Sequence, residues 1–250
     1  MKKIPILATQ TLNGVKNVKK LIESVDYPVE IFSLILNNEN FDILIDLKKY
    51  CDSKPNEFID KIEISWHPTN LGCAPSWNYH FKQYPYAEYF VKADDDIEFS
   101  KGDLEVMSNT LANGNHMVFF NRGTKYACFG ISKKTLKIVG LFDENVWPAN
   151  YEDDDFQNRL RLSNINDTFL EIDIKHISSG TSRNLKDQKI EHAKLANFIV
   201  ETQDYYNKKW GGNWPNCYKH PFNDPNINIT NIDYKFEYRE NKIFRCNYTI

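Results

Sequence analysis

Two short runs that carry no charge, Ile4–Ala8 and Ile31–Leu36, limit what this chain can fold into more than any other feature. They are too short for core helices and too apolar for a surface, so they read as strands buried on both faces. Between them Val15, Val18, Leu21, Ile22 and Val25 recur at helical spacing with lysines interposed. A second helix over Phe41–Cys51 and a third strand at Ile62–Trp66 repeat the alternation. Strands alternating with amphipathic helices predict an α/β fold, a mostly parallel sheet with helices on both faces. Ligands of such sheets sit at the carboxyl ends of strands, where three polar segments fall: the loop Thr9–Gly14, the run Asn37–Asn40 and the triplet Asp94–Asp96.

The triplet is the most informative of the three. The strand Tyr89–Val91 leads without a turn residue into Asp94, Asp95 and Asp96, and Ile97 comes directly after them. Carboxylates this close repel one another, so either one is pushed towards protonation or a cation sits among them. A hard divalent ion, Mg²⁺ or Mn²⁺, is the natural occupant. A solvated acidic turn is the ordinary alternative, and the flanking strand and the motifs further along the chain weigh against it.

After the third strand, Asn70–Asn78 reads as a loop entering a helix, with Gly72 for a tight turn, Pro75 in the first helical turn, and Trp77 and Phe81 on one face. Beyond the aspartates come a helix at Leu104–Leu111, strands at Met117–Phe120 and Tyr126–Ile131, and a short helix Lys133–Val139 stopped by Gly140. Four acids, Glu152 to Asp155, then open a helix that carries Phe156, Arg159, Leu160 and Arg161. A helix dipole welcomes acids in its first turn. It does not explain a second dense acidic cluster in a chain whose charges otherwise alternate. A strand over Thr168–Ile174 delivers His176 to a Gly/Ser loop, Ser178–Ser182, and a histidine so placed beside an acidic cation site is a ligand candidate. A long helix is expected from about Lys186 to Lys209, ending at Trp210.

Composition removes some function classes. The net charge of −3 argues against an electrostatic grip on nucleic acid over the whole surface. The tail nonetheless interleaves Lys235, Arg239, Lys242 and Arg245 with Phe236, Tyr238 and Phe244, which would suit a nucleic-acid groove or simply pack on the core. Five scattered cysteines outside CxxC spacing indicate reduced thiols and a cytoplasmic setting. The apolar run at the start is too short for a signal peptide, and no run is long enough for a transmembrane segment, so the protein is expected to be soluble or at most peripheral to a membrane. The organisation expected is one domain over residues 1–222 with a C-terminal extension, 223–250, packed on it.

Five segments taken together, NLGCAPSWN (Asn70–Asn78), ADDDIEF (Ala93–Phe99), GLFDENVWPANYEDDDFQNRLR (Gly140–Arg161), KHISSGTS (Lys175–Ser182) and YYNKKWGG (Tyr205–Gly212), resemble a family-two glycosyltransferase of the GT-A fold over roughly residues 4–222. The resemblance implies a nucleoside-diphosphate sugar as donor, a UDP-sugar favoured, together with Mn²⁺ or Mg²⁺ and transfer with inversion. By position it makes Asp94 and Asp96 the metal-binding pair, with His176 completing the metal site and Asp95 facing the donor ribose or sugar. Asp153 becomes the general base, with Glu152 beside it. Asn70 and Asn78 fall on the donor side. Thr9, Asn37 and Glu39 stand where such enzymes hold base and ribose, although the segment departs from the family's acidic pattern.

The chemistry agrees with this assignment. A cation neutralises the departing diphosphate, the sugar carbon becomes oxocarbenium-like, and a carboxylate takes the acceptor's proton. The acceptor expected is a glycan, with a hydroxylated base in DNA as the alternative. A nucleotidyltransferase would need a Gly-rich phosphate loop with a lysine, absent from Thr9–Gly14. A non-catalytic sugar- or Ca²⁺-binding module is the competing reading from another class.

Overall fold

A computed structural model of the protein describes residues 2–176 and 189–212, the side chains of 189–199 excepted. The Gly/Ser loop after His176, the start of the last helix near Lys186, Cys217, Cys246 and the extension 223–250 with its basic and aromatic finish lie outside the described residues.

The chain begins as expected, β1 (Ile4–Thr11), α1 (Val15–Glu23), β2 (Val29–Asn37), α2 (Phe41–Asp52), β3 (Ile59–His67), α3 (Cys73–Gln83) and β4 (Tyr89–Ala93). It continues through β5 (Ile97–Glu98), α4 (Asp103–Ala112), β6 (Met117–Phe119), β7 (Cys128–Ser132), α5 (Lys133–Val139), α6 (Glu152–Leu162), β8 (Asp167–Phe169), β9 (Lys175–His176) and α7 (Lys189–Trp210). Seven strands form one sheet in the order β3-β2-β1-β4-β7-β6-β8, and β5 pairs with β9 in a separate ribbon. The pairs β1–β2, β1–β4, β2–β3 and β6–β8 are parallel, and β7 is antiparallel to both β4 and β6. The sheet is therefore mostly parallel, and it alternates with helices as the sequence requires.

Strand period two divides the buried side chains between two layers. Leu7, Phe32, Leu34 and Val91 belong to one, together with Val18, Leu21 and Ile22 of α1, Leu47 of α2 and Met107 of α4. Ile6, Ala8, Ile31 and Phe90 belong to the other, with residues of α3, α5 and α6. That second layer is aromatic, with Trp77 4.6 Å from Phe142 and Phe142 stacked 4.1 Å from Phe156 between ring centroids. Truncating one of these rings to alanine would cost about 3–5 kcal/mol.

The structure corrects three boundaries. The segment expected to be a loop from Thr9 is strand as far as Thr11, because β2 extends the parallel ladder through Thr9↔Leu34, Gln10↔Ile35 and Thr11↔Leu36. Pairing overrides the polar composition, and threonine suits a strand. Tyr126 and Ala127 belong to a turn, closed by Ala127 N–H on the Thr124 carbonyl at 2.9 Å, so β7 starts only at Cys128. The strand expected over Thr168–Ile174 is confined to β8, although Leu170 and Ile172 still donate backbone hydrogen bonds to Phe119 and Phe120. Among the described residues no helix is long and apolar enough to cross a membrane.

Candidate active site

The central strand β4 sets the site. It lies between β1 and β7 and ends at Ala93, where Asp94 N–H bonds the Ala127 carbonyl at 2.7 Å and a tight turn returns the chain through Ile97 N–H to the Asp94 carbonyl at 3.3 Å. Ile97 is buried and pairs across the ribbon with His176, which carries the imidazole back over the turn. His176 Nε2 then stands 3.3 Å from Asp96 Oδ1. Ligand-capable atoms of Asp94, Asp96 and His176 all lie within 4.8 Å of one another. Two carboxylates and one imidazole form a donor set that a divalent cation would accept.

Asp95 takes a different direction. It is buried, and Thr11 Oγ1 donates to its Oδ2 at 2.5 Å. Burial pushes its carboxyl up to about 7; the Thr11 hydrogen bond opposes the shift, and Asp94 and Asp96 add to it. The same carboxylate leaves no room beside α1, since a Cβ on Gly14 would lie 2.1 Å from Asp95 Oδ2. Asp95 thus ties the β1–α1 turn to the aspartate turn.

The second acidic cluster opens α6. Asn150 and Tyr151 both take left-handed backbone, φ 74° and 72°, and Tyr151 caps the helix whose first turn is Glu152, Asp153, Asp154 and Asp155. The loop before them is held from the other side: Cys73 N–H bonds the Pro148 carbonyl at 2.8 Å, and a Cβ on Gly72 would meet the Trp147 ring at 2.6 Å. A cavity of about 480 Å³ is lined by Asp94 and His176, by Glu152 and Asp153, and by Lys125 and Arg161 among others. Glu152 is buried, and among the described residues its Oε2 has no hydrogen-bond partner. Burial, then the charge of Asp153, push its carboxyl up to about 8. Asp153 is half-buried, and burial followed by the neighbouring Asp154 raise it as well.

Behind this face the helix is clamped by ions. Asp155 lies 2.8 Å from Arg159 Nη2 and 2.6 Å from Lys209 Nζ, and it accepts from Trp210 Nε1 at 2.9 Å. Lys209 also reaches Asp143 at 2.7 Å, and Tyr205 donates to the same Asp143 oxygen at 2.6 Å. The YYNKKW segment therefore holds the helix that presents Glu152 and Asp153.

The remaining residues singled out in the sequence are placed less directly. Thr9 is wholly buried in mid-strand. Asn37 is buried at the end of β2, donating to Ser76 Oγ at 3.0 Å and accepting weakly from Leu71 N–H. Asn78 donates to the Phe142 carbonyl and to Glu144, and accepts from Phe142 N–H, so its amide joins α3 to the segment after α5. Glu39 and Asn70 are exposed beyond β2 and β3. One residue of the site escaped the sequence reading. Lys92 is 1 % exposed and ion-paired with Asp94, and its signal is a lone charge inside the otherwise apolar strand YFVKA.

No family model matches the chain, and no curated protein matches it. Solved structures do. A fragment of TarS from S. aureus, residues 1–349, superposes with a TM-score of 0.51 at 17% identity, over 68% of this chain and 58% of that one. The same fragment in complex with UDP-GlcNAc gives 0.52 at 16% identity, over 72% and 61%. The match thus spans about three fifths of the TarS fragment's length. A 4-diphosphocytidyl-2C-methyl-D-erythritol synthase from Anaerococcus prevotii DSM 20548 reaches only 0.48 at 12% identity, over 70% and 91%, and carries no argument. At such identities the likeness is one of fold: the chain has a GT-A-like fold.

Proposed function

We propose that this protein is a metal-dependent, inverting glycosyltransferase that moves a sugar from a nucleoside-diphosphate sugar, a UDP-sugar favoured, to a hydroxyl of a glycan. The observation that carries the reading is the convergence of Asp94, Asp96 and His176 beside a cavity that also takes Glu152 and Asp153. Bound by the first three, Mn²⁺ ahead of Mg²⁺ because one ligand is an imidazole, the metal would offset charge on the departing diphosphate.

The chain's own groups divide the remaining work. Asp153, at the cavity wall, takes the acceptor's proton as its oxygen attacks the sugar carbon. Glu152, held up to about 8, keeps its proton at neutral pH and donates a hydrogen bond to sugar or acceptor. Two adjacent carboxyls in different surroundings thereby take different roles. On the nucleoside side the reading retains Glu39 and Asn70, which stand exposed beyond the ends of β2 and β3, and Asp95 with Thr11 beneath the ribose. The free thiols of Cys51, Cys73 and Cys128 fit a reducing, cytoplasmic setting. Residues 1–222 would form the catalytic domain, with 223–250 as an extension on it.

The test is nucleoside diphosphate release from a panel of nucleotide sugars, with Mn²⁺ and with EDTA. Release that requires Mn²⁺ and rises when oligosaccharides are added is expected. A rise with duplex DNA instead would move the acceptor, and no release from any donor would overturn the reading.

A further inference from the structure

Lys92 sits on the aromatic face of β4, buried, with its ammonium 4.5 Å from the Trp77 ring centroid and 5.9 Å from that of Phe129. It donates to Asp94 Oδ1 and, at 3.4 Å, to the Tyr126 carbonyl. Taking an ammonium out of water is costly unless it is paired, and an apolar side chain of the same length would fill this place at lower cost. The other buried lysine among the described residues, Lys209, is accounted for by two buried carboxylates, Asp143 and Asp155. Among the described residues Lys92 has one carboxylate within ion-pairing distance, and it belongs to the group that could hold a metal ion.

We infer that Lys92 is a resident counter-cation that keeps the Asp94–Asp96–His176 site from filling until a metal ion arrives with a diphosphate. The inference rests on the donor site proposed above. Its ground is the charge at the end of β4. Asp94 and Asp96 supply two negative charges, Lys92 returns one positive, and Asp95 is turned away towards Thr11. A divalent ion alone would leave this half-buried corner with a net positive charge beside a buried ammonium, and like charges at such range repel. Lys92 also occupies one Asp94 oxygen, which leaves that carboxylate a weaker ligand. A diphosphate adds the missing negative charge, so metal and nucleotide favour each other's binding, and by linkage the preference is mutual.

The measurement is calorimetric titration of Mn²⁺ into the full-length protein, with and without UDP, for the wild type, Lys92→Met and Lys92→Arg. Wild type should take Mn²⁺ weakly alone and at least about tenfold more tightly with UDP present. Lys92→Met should tighten nucleotide-free Mn²⁺ binding by about tenfold or more, and Lys92→Arg, which keeps the charge, should stay within about threefold of wild type. Unchanged or weaker Mn²⁺ binding by a folded Lys92→Met would overturn the inference and leave the donor site standing. If that variant does not fold, the wild type decides: Mn²⁺ held as tightly without UDP as with it would contradict the proposed role. Absence of Mn²⁺ binding under both conditions would remove the donor site itself, and the role of Lys92 with it.

Discussion

Glu152 and Asp155 begin the same turn of α6 and both are buried, yet their surroundings differ completely. Asp155 is closed in by Arg159, Lys209 and Trp210, and each of these contacts is a donor aimed at a carboxylate. Its neighbour Asp143 shows the electrostatic result: burial alone would raise it, but Lys209 beside it and the hydrogen bond from Tyr205 take it down to about 2. Among the described residues Glu152 has no such cation within bonding distance, and burial drives it the other way, to about 8. Burial does not distinguish the two; the partner does. A carboxylate buried with its cation is scaffold, whereas one buried without it is driven towards its protonated form and is left able to donate.

Removing the scaffold acid tests this contrast most severely. Asp155→Ala would leave Arg159 and Lys209 buried beside an empty place, and denaturant melts should show a loss of about 3–5 kcal/mol. A loss under about 1 kcal/mol would mean that the clamp on α6 is not ionic.

On the other face the expected effect is kinetic. Asp153→Asn keeps shape and removes basicity, so turnover should fall by about 10²-fold or more while donor affinity and stability barely change. Near-normal turnover would exclude Asp153 as the base.

The smallest effect depends on pH. A carboxyl raised from 4.5 to about 8 on folding binds its proton more tightly in the folded state, so its contribution to stability is present below the unfolded value and is lost as pH rises through the folded one. Glu152→Gln removes that loss. With metal chelated, the variant should match wild type near pH 5, gain on it as pH rises, and level off above about pH 8 with an advantage of about 1–2 kcal/mol, short of the full linkage because the cavity admits water. A flat difference across that range would show that Glu152 finds a partner after all.

The framework was legible in the sequence because strands covered on both faces leave charge-free runs, and Ile4–Ala8 and Ile31–Leu36 are such runs. The extent of β1 was not, since what holds Gln10 and Thr11 in the strand is their pairing with Ile35 and Leu36, a tertiary fact. The acidic clusters were visible as composition, but their division was hidden. Lys209 is brought to Asp143 and Asp155 only by packing of α7, although Asp155 and Arg159, four apart on one helix, carry a local signal. Asn37 and Asn78 show the limit of reading residue types: an amide suited to a ligand serves equally well to satisfy buried backbone, and Asn78 does so at Phe142. Lys92 was legible as a lone charge in an apolar strand, but its meaning depends on Asp94 lying beside it.

Everything proposed for catalysis depends on the cation site at the end of β4. A crystal of the protein grown with Mn²⁺ and UDP, measured at a wavelength where manganese scatters anomalously, locates the ion without reference to any assay. A single strong peak touching Asp94, Asp96, His176 and the diphosphate is the predicted result. A bound nucleotide with manganese elsewhere, or with none, would contradict it.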